Sequence, residues 1–271
     1  MSVGGNRCAA RIEFTNHLKG KKKMENSKIA WTDHTFNPWW GCVKVSEGCK
    51  NCYAETFSKR TGNDVWGVDR PRRFFGDDHW SKPLKWNRDA EKAGKRARVF
   101  SASMADVFED RPDLVKPRKR LFELIPQTPW LDWLILTKRP ENINRLLGNP
   151  TFLWPTIWLG TTIESKAVAQ SRAIEIMDTL AAIKFISLEP LLKSFDLYEA
   201  FAASGMPSWV IVGGESGPKA RPFDWDWARD IRDQCKTYGV PFFMKQGGGW
   251  PNKREKLEDI PEDLRIREFP K

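Results

Sequence analysis

Short apolar segments that alternate with amphipathic segments constrain the fold of this chain more than any other feature. The apolar segments span 98–104, 131–137, 156–162, 184–189, 209–215 and 240–245. Strands that are apolar at successive positions are typical of parallel sheets buried on both faces. The amphipathic segments, predicted to be helices, span 116–124, 141–147, 166–180 and 225–238. This alternation predicts an α/β fold built as a complete or partial (β/α) barrel, with a doubly wound open sheet as the alternative.

Two segments depart from this alternation. Residues 59–97 are rich in Arg, Trp, Gly and Asp, and we interpret them as an irregular basic insertion. Residues 1–23 are polar, lack periodicity and end in three lysines, Lys21 to Lys23, which predicts a mobile basic arm. The rest of the chain, 24–271, is long enough to bury a sizeable core, and we expect it to form a single barrel-like domain.

The charge and the aromatic composition indicate a polyanionic partner. The net charge is +10, and residues 59–120 carry seventeen basic against ten acidic side chains. A local excess of this kind attracts nucleic acid. The chain has 14 Trp and 3 Tyr, and some Trp side chains lie among turn residues and basic groups: Trp39, Trp40, Trp66, Trp80 and Trp86. Such side chains either stack on unpaired bases or, more often for any single Trp, fill the core.

Several classes of protein are not indicated. No segment has the roughly 18–20 uninterrupted apolar residues of a membrane span, and the N-terminus does not resemble a secretory signal, so we expect a cytoplasmic protein. The phosphate-binding patterns G-x-x-x-x-G-K-[ST] and G-x-G-x-x-G are absent, as is the G-x-S-x-G of hydrolases. A two-metal nuclease built on Glu164, Glu189 and Glu215 would leave the cysteines unexplained.

Polar side chains stand where the predicted strands end, and in (β/α) barrels the active site lies at that end. We predict that the cavity there is lined by Lys138, Arg139, Glu164, Glu189, Glu215 and Lys245, with Asp106, Thr137, Thr162 and Gln246 nearby. Ionisable groups at the ends of successive strands are expected to face one cavity rather than to be scattered over the surface.

Three of the five cysteines form a C-x6-C-x2-C pattern: Cys42, Cys49 and Cys52. An odd number of cysteines argues against a disulfide framework, and three close thiols are typical of metal ligands. Structural zinc would need a fourth ligand, from His34 or Cys235. An iron–sulfur cluster on three cysteines would leave one iron open to a cofactor or substrate. The absence of an obvious fourth ligand favours the cluster.

The segment from Ile29 to Cys42 (IAWTDHTFNPWWGC), the cysteine pattern and the Gly213-Gly214-Glu215-Ser216-Gly217 segment resemble a largely uncharacterised family of phage and prophage proteins. That family in turn looks related to radical S-adenosylmethionine (SAM) enzymes. The resemblance extends from about residue 28 to residue 250. Ser187 to Leu191 and the Lys245-Gln246 pair add support.

This resemblance implies a [4Fe–4S] cluster held by Cys42, Cys49 and Cys52, with SAM bound to the fourth iron and an external one-electron reductant. The first cysteine gap is six residues rather than the usual three, and the Gly-Gly-Glu element lies late in the chain rather than after the second strand. We predict cofactor contacts from Thr162, Glu164, Gly213, Gly214 and Glu215. We predict catalytic roles for Lys138, Arg139, Glu189 and Lys245.

Three functions follow from these observations. The first is a radical SAM-like enzyme that modifies or repairs a nucleic-acid base through a 5′-deoxyadenosyl radical. The second is a non-catalytic iron–sulfur or zinc protein that binds nucleic acid. The third is a radical SAM enzyme acting on a protein or a small metabolite. We adopt the first as the working hypothesis; the oligomeric state stays open.

Overall fold

A sheet of seven parallel strands organises the chain in the computed structural model, which describes residues 27, 29–151, 155–217, 219–249, 254 and 256–271. Its strands are β1 His34–Thr35, β4 Ala97–Ser101, β5 Leu131–Thr137, β6 Ile157–Thr162, β7 Ile183–Leu188, β8 Trp209–Gly213 and β9 Phe242–Gln246. A two-stranded antiparallel ribbon pairs β2 Trp39–Trp40 with β3 Arg73–Phe74. The predicted basic arm, residues 1–23, lies outside the described residues.

The strand order in the large sheet is the chain order, β1-β4-β5-β6-β7-β8-β9, and every neighbouring pair is parallel. Each new strand is therefore added on the same side of the previous one. A doubly wound sheet needs a point where the strand order reverses, and this sheet has none. The alternative of an open doubly wound sheet is wrong, and the fold is a curled partial (β/α) barrel with β1 and β9 at its edges.

Helices cover the outer face of the sheet. The α-helices are α1 Tyr53–Arg60, α2 Asp77–Trp80, α3 Lys82–Lys92, α4 Val115–Leu124, α5 Ile143–Leu146, α6 Lys166–Met177, α7 Leu197–Phe201 and α8 Trp225–Tyr238. Short 3-10 helices span Glu47–Cys49, Pro112–Leu114, Ile125–Gln127, Pro140–Asn142, Leu257–Asp259 and Glu262–Leu264. Among the described residues, no helix is long and apolar enough to cross a membrane.

The apolar strands are buried on both faces because they separate two hydrophobic clusters. Alternate residues of each strand point to opposite faces. The outer cluster packs the sheet against the helices. The inner cluster contains no helical residue and consists mostly of aromatic side chains: Trp31, Phe100, Leu134, Trp158, Phe185, Trp209, Ile211 and Phe243. These residues form an apolar floor inside the curled sheet.

The basic insertion is more regular than expected. It contains β3, α2 and the eleven-residue helix α3. The prediction that residues 59–97 are irregular is therefore wrong for this part. In α3 the apolar positions are only Pro83, Leu84, Trp86 and Ala90, and the helix buries Pro83, Trp86 and Ala90. Frequent charged residues concealed this narrow apolar face.

Three of the five singled-out tryptophans belong to the core. Trp39, Trp80 and Trp86 are at most 8% exposed, so they do not stack on bases. Trp40 and Trp66 are half-buried and stay accessible. The core role therefore applies to the majority of this set.

Candidate active site

The cysteine loop, residues 41–52, joins β2 to α1 and carries all three clustered thiols. Cys42 follows β2, Cys49 ends the 3-10 helix, and Cys52 is the N-cap residue of α1. All three are half-buried and free of disulfides, whereas Cys235 is buried in the core. The loop begins against the segment that follows β4, because the Gly41 N–H donates a 2.9 Å hydrogen bond to the Met104 carbonyl.

Arg139, two residues after β5, holds the start of this loop. Its Nη1 lies 3.6 Å from the Cys42 Sγ, and its Nη2 donates a 2.7 Å hydrogen bond to the Val43 carbonyl. Nη1 also pairs with the Asp106 carboxylate at 2.9 Å, and both side chains are less than 10% exposed. The Thr137 hydroxyl donates to the same carboxylate at 2.6 Å. A buried, oriented cation therefore lies against one candidate metal ligand.

Glu164, two residues after β6, holds the middle of the loop. It is 1% exposed, accepts a 3.3 Å hydrogen bond from the Gly48 N–H and pairs with Arg172 of α6 at 2.7 Å. A Cβ at Gly48 would lie 2.9 Å from the Glu164 Cδ, so this close approach requires a residue without a side chain. The motif residue Gly48 and the strand-end residue Glu164 thus fit each other.

Glu215, two residues after β8, holds the end of the loop. Its carboxylate accepts 3.0 Å and 2.8 Å hydrogen bonds from the Asn51 side chain and the Arg221 Nη2. The same Nη2 of Arg221 donates to the Glu47 carbonyl at 3.1 Å. Three predicted site residues, from three different strands, therefore fasten the cysteine loop across the carboxyl ends of the sheet.

The remaining predicted residues lie beneath the loop. Thr162, Glu189 and Gly213 share the inner face of the sheet with the aromatic floor, because each is an even number of residues from a floor residue of its own strand. Lys245 of β9 forms an ion pair with Glu189. A Cβ at Gly213 would lie 3.2 Å from the Glu189 Cγ, and a Cβ at Gly214 would lie 2.6 Å from the Gly248 nitrogen. Close packing therefore favours glycine at both positions.

Among the described residues, the buried polar atoms on this inner face without a hydrogen-bond partner include the Ser187 Oγ and the Glu189 Oε1. Buried polar groups are normally hydrogen-bonded, and exceptions are frequent where a ligand binds. Lys138 lies near the same region, since its charge acts on both Cys52 and Glu164. Polar atoms that can still form hydrogen bonds therefore lie between the aromatic floor and the cysteine loop.

The electrostatics of the loop reflect burial and nearby charges. Burial, and next the Asp106 carboxylate, raise the pKa of the Cys42 thiol to about 12, although Arg139 acts in the opposite direction. Burial also raises the pKa of Cys52, against the backbone N–H groups of Glu55 and Ala54 at the start of α1. Burial is the largest influence on Glu164 and would raise its pKa, but Arg172, the Ser46 hydrogen bond, Lys138 and the Gly48 N–H together outweigh it, so that pKa is lowered.

The cysteine loop offers three free thiols, and neither residue considered as a fourth metal ligand lies in it. Among the described residues, no three His, Cys, Asp or Glu side chains are arranged to hold one metal ion. His34 stacks on Trp86 with ring centroids 4.4 Å apart, and Cys235 lies in the outer hydrophobic cluster, so neither stands in the loop as a fourth ligand. Three thiols, of which Cys42 lies beside a buried guanidinium, suit an anionic, sulfur-ligated group.

Sequence reasoning missed several residues of this arrangement. Asn51 lies within the cysteine motif, so its polar side chain was a signal that the sequence offered. Arg221 belongs to no sequence pattern that could have indicated it. Arg172 stands on the buried face of α6, and a charged residue at an otherwise apolar helical position was the available signal. Tyr53, next to Cys52, donates a 3.0 Å hydrogen bond from its hydroxyl to the Ser103 carbonyl after β4.

The chain thus folds as a parallel, partial (β/α) barrel with a three-cysteine loop across the carboxyl ends of its strands. The chain belongs to the family described as "Protein of unknown function (DUF5131)", whose model matches residues 26–265.

Solved structures of spore photoproduct lyase variants share this fold. One matches with a TM-score of 0.55 and 13% identity over 82% of this chain and 78% of that one. A second matches with a TM-score of 0.50 and 17% identity over 81% and 65%. A third, with AdoMet and a dinucleoside spore photoproduct bound, has a TM-score of 0.48 and 15% identity over 80% and 65%. This chain thus spans about two thirds of two of these proteins. No curated protein matches it.

Proposed function

We propose that this protein is a radical SAM-like iron–sulfur enzyme that modifies or repairs a base in a nucleic acid. The observation that carries this proposal is the attachment of the cysteine loop to three strand ends through Arg139, Glu164 and Glu215. Such an attachment fixes three thiols above the inside of the barrel, where (β/α) barrel enzymes perform their chemistry. The fold shared with spore photoproduct lyase supports the same class of enzyme.

Cys42, Cys49 and Cys52 would hold a [4Fe–4S] cluster, leaving one iron without a protein ligand. Such a cluster would supply the electron that splits SAM into methionine and a 5′-deoxyadenosyl radical, which would take hydrogen from a substrate. The chain's own contribution is to hold and surround these groups. Arg139 places a fixed positive charge beside Cys42, which favours sulfur ligands in their anionic form.

The inner face below the loop supplies the polar contacts for a cofactor and a substrate. The unpartnered Glu189 Oε1 can accept a hydrogen bond, and the Ser187 Oγ can accept or donate one. Lys245 orients the Glu189 carboxylate through their ion pair. Lys138, near Cys52 and Glu164, offers an ammonium to an anionic group of the ligand. Thr162, Glu164, Gly213, Gly214 and Glu215 complete the proposed cofactor contacts.

The partners follow from this chemistry. An external donor must deliver one electron, and a cluster with an open iron needs a reducing compartment, so we place the protein in the cytoplasm. The net charge of +10 supports a polyanionic substrate. For the domain organisation, we retain a basic arm over residues 1–23 and a single catalytic domain over residues 24–271.

Incubation of anaerobically reconstituted protein with SAM and dithionite tests this function. We expect 5′-deoxyadenosine and methionine from the wild type. Cys42→Ala should lose both the cluster and the cleavage, whereas Cys235→Ala, which changes a thiol in the hydrophobic core, should keep both. Equal iron loss in the two variants would contradict the ligand assignment. An intact cluster without SAM cleavage would favour a non-catalytic iron–sulfur protein. SAM cleavage stimulated only by a protein or a metabolite would exclude nucleic acid as the substrate.

A further inference from the structure

The outer side of the cysteine loop continues into an exposed surface of aromatic and basic residues, which we call the aromatic–basic face. It consists of Trp40, Phe57, Arg60, Arg73, Phe74, Phe75 and His79, together with the basic row of α3, Lys82, Lys85, Arg88 and Lys92. Phe57 is 38% exposed and Phe74 is 48% exposed, unusually high values for phenylalanine. Nothing in the proposed catalytic chemistry uses these residues.

Around Trp40 the aromatic rings of this face pack edge to face, and guanidinium groups lie over them. Trp40 lies between Phe57 and Phe75, with ring centroids 5.9 Å and 6.0 Å away. The Arg73 guanidinium lies over Trp40 at 4.8 Å and over Phe75 at 5.4 Å, and Arg60 lies 5.4 Å from the Phe57 ring. Phe75 in turn stacks on His79 with centroids 4.3 Å apart. The result is a continuous series of flat groups.

The cations of this face lack carboxylate partners. Within the described part of the chain, Arg60 and Arg73 form no salt bridge, and neither do Lys82, Lys85, Arg88 or Lys92. Elsewhere the arginines are commonly paired, as in Arg96 with Asp132 at 2.6 Å and Arg229 with Asp263 at 2.9 Å. Residues 59–97 hold eleven basic and six acidic side chains. Uncompensated positive charge therefore accumulates here.

The α3 row is spaced to lie on one side of its helix, since its members follow one another at intervals of three, three and four residues. The row meets the aromatic series near His79. Burial lowers the pKa of His79, and the positive charge of Lys82 is close enough to lower it further. At the other end, Phe57 and Arg60 belong to α1, whose N-cap is Cys52. The face thus extends from the basic helix to the edge of the proposed active site.

We propose that the aromatic–basic face binds single-stranded nucleic acid, with bases stacked on the exposed rings and phosphates along the α3 row. Proteins that bind single strands combine aromatic platforms with a basic track in this way. The charge complementarity selects a polyanion, and the exposed rings select unpaired bases over a duplex. The inference rests on the proposed function, because it supplies the path by which a substrate base reaches the barrel.

The test is fluorescence anisotropy with labelled single strands of about 20 nucleotides, in deoxy and ribo forms, and with the matched DNA duplex. We expect the single strand to bind more tightly than the duplex. Phe57→Ser with Phe74→Ser should weaken single-strand binding by about tenfold or more, because stacking surfaces are lost. Lys82→Gln with Lys85→Gln should reduce the slope of log affinity against log salt by about 1.4, since each phosphate contact contributes about 0.7.

Matched controls separate this face from general charge. Lys193→Gln with Lys236→Gln removes two exposed cations that lie away from the face, and it should leave affinity and salt slope unchanged. Iron content and SAM cleavage without nucleic acid are measured in every variant and should equal the wild type. Absence of single-strand binding by the wild type, or equal binding by the face variants and the wild type, overturns the inference. Binding that persists in a protein unable to cleave SAM overturns only the proposed enzymatic function.

Discussion

Glu164→Ala is the perturbation that most directly probes how the cysteine loop is attached. The carboxylate is 1% exposed and contacts the Arg172 guanidinium at 2.7 Å and the Gly48 N–H at 3.3 Å, with the Ser46 side chain as a further hydrogen-bond partner. After the substitution, Arg172 keeps only its 2.7 Å hydrogen bond to the Thr162 carbonyl. A buried guanidinium is then left without a counter-charge, and the loop loses its central contact with β6.

The magnitude follows from the burial of the pair. Removing one member of a buried ion pair costs about 3–5 kcal/mol, because the other charge stays desolvated. The lost Gly48 hydrogen bond adds about 0.5–1.5 kcal/mol. We therefore expect the free energy of unfolding to fall by about 3.5–6.5 kcal/mol. Glu164→Ala with Arg172→Met should regain part of this loss, because the unpaired cation is removed.

The assay is urea unfolding followed by tryptophan fluorescence, combined with iron retention after desalting. Glu199→Gln is the matched control, since the Lys166–Glu199 pair has a similar distance of 2.8 Å but side chains that are 70% and 60% exposed. Exposed pairs contribute at most about 1 kcal/mol. We expect iron loss only in the Glu164 variants. A Glu164→Ala protein within about 1 kcal/mol of the wild type and with full iron would refute this reasoning.

Three further predictions concern packing, pH and the N-terminal segment. Gly160→Ala should lower the free energy of unfolding by about 1–3 kcal/mol, since a Cβ there would lie 2.4 Å from the Phe185 ring. The control Gly76→Ala, at a position with open space around it, should be near neutral in the same urea unfolding. The pKa of Glu164 is lowered, so its contribution to stability is present above its usual pKa of 4.5 and disappears as the pH falls through the lowered value. Glu164→Gln should therefore flatten the acid part of a curve of stability against pH. An unchanged slope would count against the ion pair with Arg172. Deletion of residues 1–23 should weaken nucleic-acid binding and reduce its salt slope while iron content stays constant, and unchanged binding would make this segment irrelevant.

The fold was largely predictable because its main strands are short, apolar and regularly spaced. The segment 131–137 is β5 with the predicted bounds, and 156–162 differs from β6 by one residue. Periodicity could not reveal β1, which has only two residues and is defined by its pairing with β4. It also missed α7, a five-residue helix whose N-cap, Asp196, accepts a hydrogen bond from the Glu199 N–H.

The candidate site was predictable in its members but not in their connections. Ionisable residues at strand ends indicated Arg139, Glu164 and Glu215, because parallel strands bring their carboxyl ends to one edge. Their attachment to the cysteine loop depends on contacts between positions about 100 or more residues apart in the sequence, such as Gly48 with Glu164. No local pattern encodes such contacts, which arise from how the curled sheet places β6 and β8.

The central claim is that Cys42, Cys49 and Cys52 hold an iron–sulfur cluster above the barrel. Its most direct test is the iron, sulfide and zinc content of anaerobically purified protein, with a visible absorption spectrum before and after SAM is added. The account predicts a brown protein with about four irons and four sulfides per chain and a spectrum that SAM perturbs. A colourless protein with about one zinc per chain would contradict it and make the three cysteines a structural metal site.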